Sequence, residues 1–170
     1  MVDDLRTPLP ADDDRAADEL ATLTAMLGYY RVVMLRKAEG LTTAQSVEQS
    51  TPSGVTLLGL VRHLADVERD WFARFAGLDQ PQRYETPDDI DGDFHPGPEA
   101  TIEEAITAYR QEIAVAERVV GAASSLDQTV ESRGRPLSLR WILVHMIEET
   151  ARHAGHADVL RELTDGVVDD

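Results

Sequence analysis

The residues best suited to chemistry in this 170-residue chain are five histidines, since cysteine is absent. They stand at His63, His95, His145, His153 and His156. Glu149 and His153 are spaced i, i+4, so on a helix their side chains stand one turn apart on one face. That spacing suits two ligands of a single metal, as in the helical motifs of zinc proteases. The same face carries Ile142, His145, Met146, Glu149, His153, His156, Ala157 and Leu160. It begins and ends apolar, with ionisable groups between. Burying a carboxylate in such a stripe is costly unless it is paired or bound to a cation.

His63 lies beside Leu60, Leu64 and Val67, at the edge of a second apolar stripe. An adjacent helix could deliver it to the same point. His63, Glu149 and His153 then make a two-histidine, one-carboxylate set with open coordination positions. Such a set suits Zn²⁺, Ni²⁺, Fe²⁺ or Mn²⁺ and leaves room for water or substrate. His145 and His156 read as alternative ligands, as partners that orient the ligands, or as boundary residues. His95 reads as a solvated loop histidine. The bland alternatives are a core-edge histidine at 63 and an ordinary surface pair at 149 and 153.

Other chemistries find no support. The missing cysteines exclude a disulfide scaffold, a thiolate zinc site and a cysteine nucleophile. No Gly-x-Ser-x-Gly elbow, phosphate loop or Gly-x-Gly-x-x-Gly fingerprint occurs. The balance of 16 basic against 32 acidic residues gives a net charge of -16, which repels phosphate backbones and argues against nucleic acid as a partner. The N-terminus, Met1-Val2-Asp3-Asp4, lacks the basic start and apolar run of a signal peptide. No stretch approaches the ~20 apolar residues of a membrane span. A cytoplasmic protein is expected.

The elements that must position the histidines follow from periodicity. At 42% apolar and 28% charged, the chain is globular, and its length suits one domain. Residues 1–12 read as a polar N-terminal arm, 13–166 as the folded body and 167–170 as an acidic tail. A first long helix is expected from about Asp13 to Lys37, with Leu20, Leu23, Leu27, Tyr30 and Met34 on one face. A short helical turn and a loop fill 41–54. A second long helix runs from about Val55 to Phe75, and a third opens at Thr101 with Glu104 completing a capping box. The fourth runs from about Ser138 to Leu163, and Gly155 inside it costs ~1 kcal/mol relative to alanine, which suggests a packing or site reason. No strand alternation is evident, so the fold class is all-α, a four-helix bundle. Residues 77–100 carry four prolines and three glycines, making a long loop between the second and third helices and a candidate lid or binding loop.

The segments TLLGLVRHLADVERDWF (56–72) and WILVHMIEETARHAGHADVLRE (141–162) resemble the DinB-like superfamily, and GYYRVVMLRKAEGL (28–41) resembles its actinobacterial branch. The resemblance covers nearly the whole chain. It implies a four-helix bundle, often a homodimer, that binds a divalent metal through a histidine of the second long helix and two residues four apart on the last. The general pattern has His-x-x-x-His on the last helix, whereas Glu149 stands here where the first of those histidines would be. That departure resembles mycothiol-dependent maleylpyruvate isomerase and its relatives, whose triad is also His, Glu, His. The resemblance thus implies ligand roles for His63, Glu149 and His153. Those isomerases carry a further C-terminal domain, so isomerase activity itself is not expected here.

The function implied is a divalent-metal-dependent enzyme, a thiol-dependent transferase or a hydrolase acting on a small molecule. With no cysteine of its own, the chain would borrow any thiol from a low-molecular-weight cofactor such as mycothiol. The competing readings are a non-catalytic metal-binding or stress-response module and a plain helical dimerisation domain. Arg62, Arg83, Arg133, Arg135, Arg140 and Arg152 could sit near the mouth of the site, and Trp71, Trp141, Tyr29 and Tyr30 could line a pocket or pack the core.

Overall fold

The structure, a computed structural model, describes residues 18–132 and 134–168. Its elements in chain order are α1 (Glu19–Ala38), α2 (Thr43–Ser46), α3 (Leu57–Phe75), α4 (Ile102–Ala122), β1 (Thr129–Ser132), β2 (Arg135–Ser138) and α5 (Leu139–Asp165). The expected arm and the last two residues of the acidic tail, 169–170, lie outside the described residues.

Side-chain caps set where the long helices begin. Asp18, Thr56, Thr101 and Ser138 each accept a hydrogen bond from the backbone N–H three residues on, satisfying one donor of the first turn. Among the described residues the first helix starts at an Asp18 cap, and the expected start at Asp13 lies outside them. At its far end, α5 stops at Gly166, whose φ of 77° is the left-handed conformation that glycine adopts freely.

The chain is mostly helical, with α3 packed on α4, α1 on α5, and α3 also on α5. The expectation of helices alone needs one correction. β1 and β2 form a two-stranded antiparallel hairpin, pairing Thr129 with Ser138 and Ser132 with Arg135. Each strand has four residues, too few for alternation to show, and Gly134 at φ 75° supplies the turn. The hairpin leads straight into the Ser138 cap of α5.

Two apolar clusters hold the helices together. One gathers Met34, Leu57, Leu58, Leu64, Tyr109 and Leu160, and the other gathers Leu27, Phe72, Phe75, Leu139, Ile142 and Met146. Truncating a fully buried leucine such as Leu64 to alanine should cost about 2–5 kcal/mol. Between the clusters, every long helix contributes a buried charged residue: Arg31 from α1, Asp66 and Glu68 from α3, Glu112 from α4, and Glu149 from α5. Buried charges persist only when paired. Arg31 donates two hydrogen bonds of 2.7 Å to Glu68, and Glu112 accepts from Arg69 at 2.9 Å and Arg83 at 2.7 Å. The site of interest is the α3–α5 section of this polar belt.

Candidate functional site

α3 and α5 bring His63, Glu149 and His153 together. One candidate ligand atom from each of the three lies within 4.8 Å of the other two. Both imidazoles turn Nε2 toward Glu149 Oε1, His63 at 3.2 Å and His153 at 3.0 Å. Glu149 and His153 are buried, and the His63 side chain is 19% exposed. The i, i+4 spacing on α5 thus does what its geometry allows, and the edge position of His63 on α3 faces the same point.

A carboxylate that no other sequence feature singled out holds His63 in place. Asp93 is buried in the 77–100 segment, and its Oδ2 lies 2.7 Å from His63 Nδ1. A carboxylate only accepts hydrogen bonds, so Nδ1 carries the hydrogen and Nε2 is the atom presented to the site. Phe94 stacks on the His63 ring with centroids 5.1 Å apart. Gly59 makes room for it, because a Cβ there would stand 3.0 Å from the Phe94 ring. The local sequence did carry one signal. A Cβ at Gly92 would fall 2.4 Å from the Tyr84 carbonyl, so only glycine admits the turn that delivers Asp93.

Burial lowers the proton affinity of His63, but its hydrogen bonds to Asp93 and Glu149 outweigh burial and hold its pKa above the ordinary histidine value. Burial also lowers the pKa of His153, and the charge on His63 lowers it further, against the pull of Glu149. At Glu149 burial raises the pKa, yet the hydrogen bond from His63 and the charges of His153 and Arg152 bring it below the usual carboxylate value. Without a cation, one proton on His63 neutralises the buried carboxylate. Arg152 covers the other Glu149 oxygen.

The long loop is less a free lid than a fastened wall. Asp66, fully buried on α3, accepts backbone N–H groups from Arg83 at 2.7 Å, Tyr84 at 2.9 Å and Glu85 at 3.1 Å. Arg62 donates to the Gly92 carbonyl at 2.7 Å and lies over the Tyr84 ring. Arg69 holds the Pro81 carbonyl at 2.7 Å. These bonds fix the backbone from which Asp93 reaches His63.

The remaining candidates fall elsewhere. His156 is exposed, with Nδ1 3.4 Å from His153 Nδ1, so it touches the back of one triad member. His145 sits between Trp71 and Trp141, with ring centroids at 4.8 and 5.0 Å, away from the triad. His95 is a loop histidine paired with Asp89. Tyr29 and Tyr30 pack on each other. Arg140 binds Glu19 and Asp127 at the start of α5, and Arg133 lies outside the described residues. Gly155 is exposed with nothing within 4 Å of a built Cβ, so packing does not demand glycine there.

The donor set fits a divalent cation. Atoms bound at about 2.1 Å around a tetrahedral ion stand about 3.4 Å apart, and the Nε2-to-Oε1 separations of 3.0 and 3.2 Å approach that spacing. What fold and site define is a helical protein with a candidate divalent-metal centre of two histidines and one carboxylate. The family model described as Mycothiol-S-transferase matches residues 22–166, and the chain belongs to that family, in keeping with the DinB-like resemblance. No curated protein matches the chain. Its fold is similar to the crystal structure of a conserved protein from Enterococcus faecalis, with a TM-score of 0.62 and 18% identity over 89% of this chain and 100% of that one.

Proposed function

We propose that this protein is a metal-dependent transferase that joins a low-molecular-weight thiol of the mycothiol type to a small electrophile, with His63, Glu149 and His153 holding the metal. The observation that carries the proposal is the convergence of three donor atoms from two helices within 4.8 Å. Membership of the mycothiol-S-transferase family supports the thiol as cosubstrate. The absence of cysteine agrees, since the sulfur must then arrive with a small molecule.

A divalent cation held there would lower the pKa of a bound thiol or water toward neutrality and polarise a carbonyl group. The chain's own residues supply the rest. Asp93 keeps the hydrogen of His63 on Nδ1 and so keeps Nε2 available as a donor atom. Glu149 brings the negative charge that makes the site selective for cations. Arg152 draws off part of that charge at the outer oxygen, so one carboxylate oxygen faces inward. The Phe94 ring on His63 shields that side from water. The four long helices around this centre support a bundle architecture, and the family resemblance supports a homodimer.

Incubation of the metal-loaded protein with mycothiol and an alkylating electrophile tests the reading. Conjugate formation should exceed that of chelator-treated protein by more than tenfold and disappear in His153→Ala. Equal rates with and without metal would refute it.

A further inference from the structure

A second feature lies on the same pair of helices. A cleft of about 750 Å³ opens between α3, the start of α5 and the β-hairpin, within the size range of small-molecule sites. Trp71 and Trp141 line it, with ring centroids 5.3 Å apart, and Trp141 is 49% exposed. Around them stand Asp70, Arg74, Ser132 and Arg135. Asp70 pairs with Arg74 at 2.5 Å, and Arg74 also donates to Ser132 at 3.2 Å. Arg135 is exposed on the hairpin and makes no ion pair among the described residues.

The cleft and the triad lie on the same two helices, α3 and α5. Trp71 is eight residues beyond His63 on α3, and Trp141 is eight residues before Glu149 on α5. His63 meets Glu149 and Trp71 meets Trp141, so the two helices run antiparallel in matched register. At 1.5 Å per residue, the aromatic pair lies about 12 Å along the helix axes from the triad. His145 fills the intervening turn, stacked on Trp141 at 5.0 Å.

The chemistry of the cleft is specific. An exposed indole face suits the apolar C–H face of a ring. The rim offers carboxylate acceptors, guanidinium donors and hydroxyls that do both, which is the mixture a polyhydroxylated ring requires. We propose that this cleft binds the hydroxylated, sugar-like body of the thiol cosubstrate, stacked on Trp141 and held by Arg135. Its thiol-bearing arm extends along the α3–α5 pair past His145 to the triad. This assignment rests on the thiol-transferase reading above and adds to it a binding subsite and a reach of about 12 Å.

Trp71 and Trp141 are the only two tryptophans, so tryptophan fluorescence excited beyond the tyrosine band reports on this cleft alone. Mycothiol titrated into chelator-treated protein should give a saturable fluorescence change, in wild type and in His153→Ala alike, while free cysteine should give none. By calorimetry, Trp141→Ala and Arg135→Ala should each weaken mycothiol binding at least tenfold. Both side chains are exposed, and matching melting curves would show that the variants fold. In metal-loaded protein the same variants should raise KM for mycothiol at least tenfold. Thiol-dependent turnover with KM unchanged in both variants would overturn the cleft and leave the transferase standing. A Trp141-dependent binding signal without metal-dependent turnover would overturn the transferase and leave the cleft standing. Absence of any saturable signal in the metal-free protein would overturn the cleft assignment.

Discussion

Asp93 sets how well His63 can serve as a ligand. It lies 2.7 Å from His63 Nδ1 and is itself buried, so its hydrogen bond is sheltered from water. Partners of this kind fix tautomer and ring orientation, and their loss costs about 10–100-fold in metal affinity. Asp93→Asn should therefore weaken Zn²⁺ binding by that factor and leave the melting temperature of the metal-free protein within a few degrees. Unchanged affinity would mean that the pairing is incidental. A second expectation concerns protons. With the pKa of His63 raised and that of His153 lowered, the metal-free protein should protonate them in that order as pH falls. His63 should take its proton above pH 6.5 and His153 should remain neutral below it. Imidazole nitrogen shifts in a pH titration read both directly. Two histidines titrating together at the ordinary value would contradict the shared-proton arrangement.

At the scale of elements, the 77–100 segment is anchored to α3 by side chains that bind its backbone. Three consecutive backbone N–H groups end on the single buried carboxylate of Asp66. Asp66→Ala removes the carboxylate that accepts all three hydrogen bonds and should cost about 2–4 kcal/mol in denaturant unfolding. Trypsin should then cut after Arg83 well before the rest of the chain. Resistance equal to wild type would show that other contacts carry the loop. The same segment marks the boundary of what the sequence makes legible. Glu149 and His153 could be paired in advance because a helix converts a spacing of four into a shared face. Asp93 could not, because an irregular loop has no period and its path depends on tertiary anchors such as Asp66 and Arg62. The hairpin was missed for a related reason, since four-residue strands end before alternation becomes a pattern. His145 was grouped with the ligands by helical phase, yet phase alone does not say how far along the axis a neighbouring helix presents its own donor.

Across the whole molecule, the triad belongs to a polar layer set between two apolar cores. Arg31 with Glu68, Arg69 and Arg83 with Glu112, and His63 with Glu149 and His153 each satisfy a buried charge locally. The cores on either side contain no metal-binding group, so folding should not depend on the cation. Metal binding should instead add stability by mass action, about 2.7 kcal/mol when free metal is 100 times its dissociation constant. A net charge of -16 favours cation capture at long range and disfavours phosphate backbones. No helix among the described residues is long and apolar enough to cross a membrane.

The central claim is that His63, Glu149 and His153 hold one divalent metal in a fold that stands without it. Elemental analysis of untagged wild-type protein and of His153→Ala, each paired with a thermal melt, tests that claim most directly. The account predicts about one divalent ion per chain in wild type, little or none in the variant, and a cooperative melt in both. Wild-type protein that carries no metal and whose melt does not move with added Zn²⁺ or Ni²⁺ would contradict it.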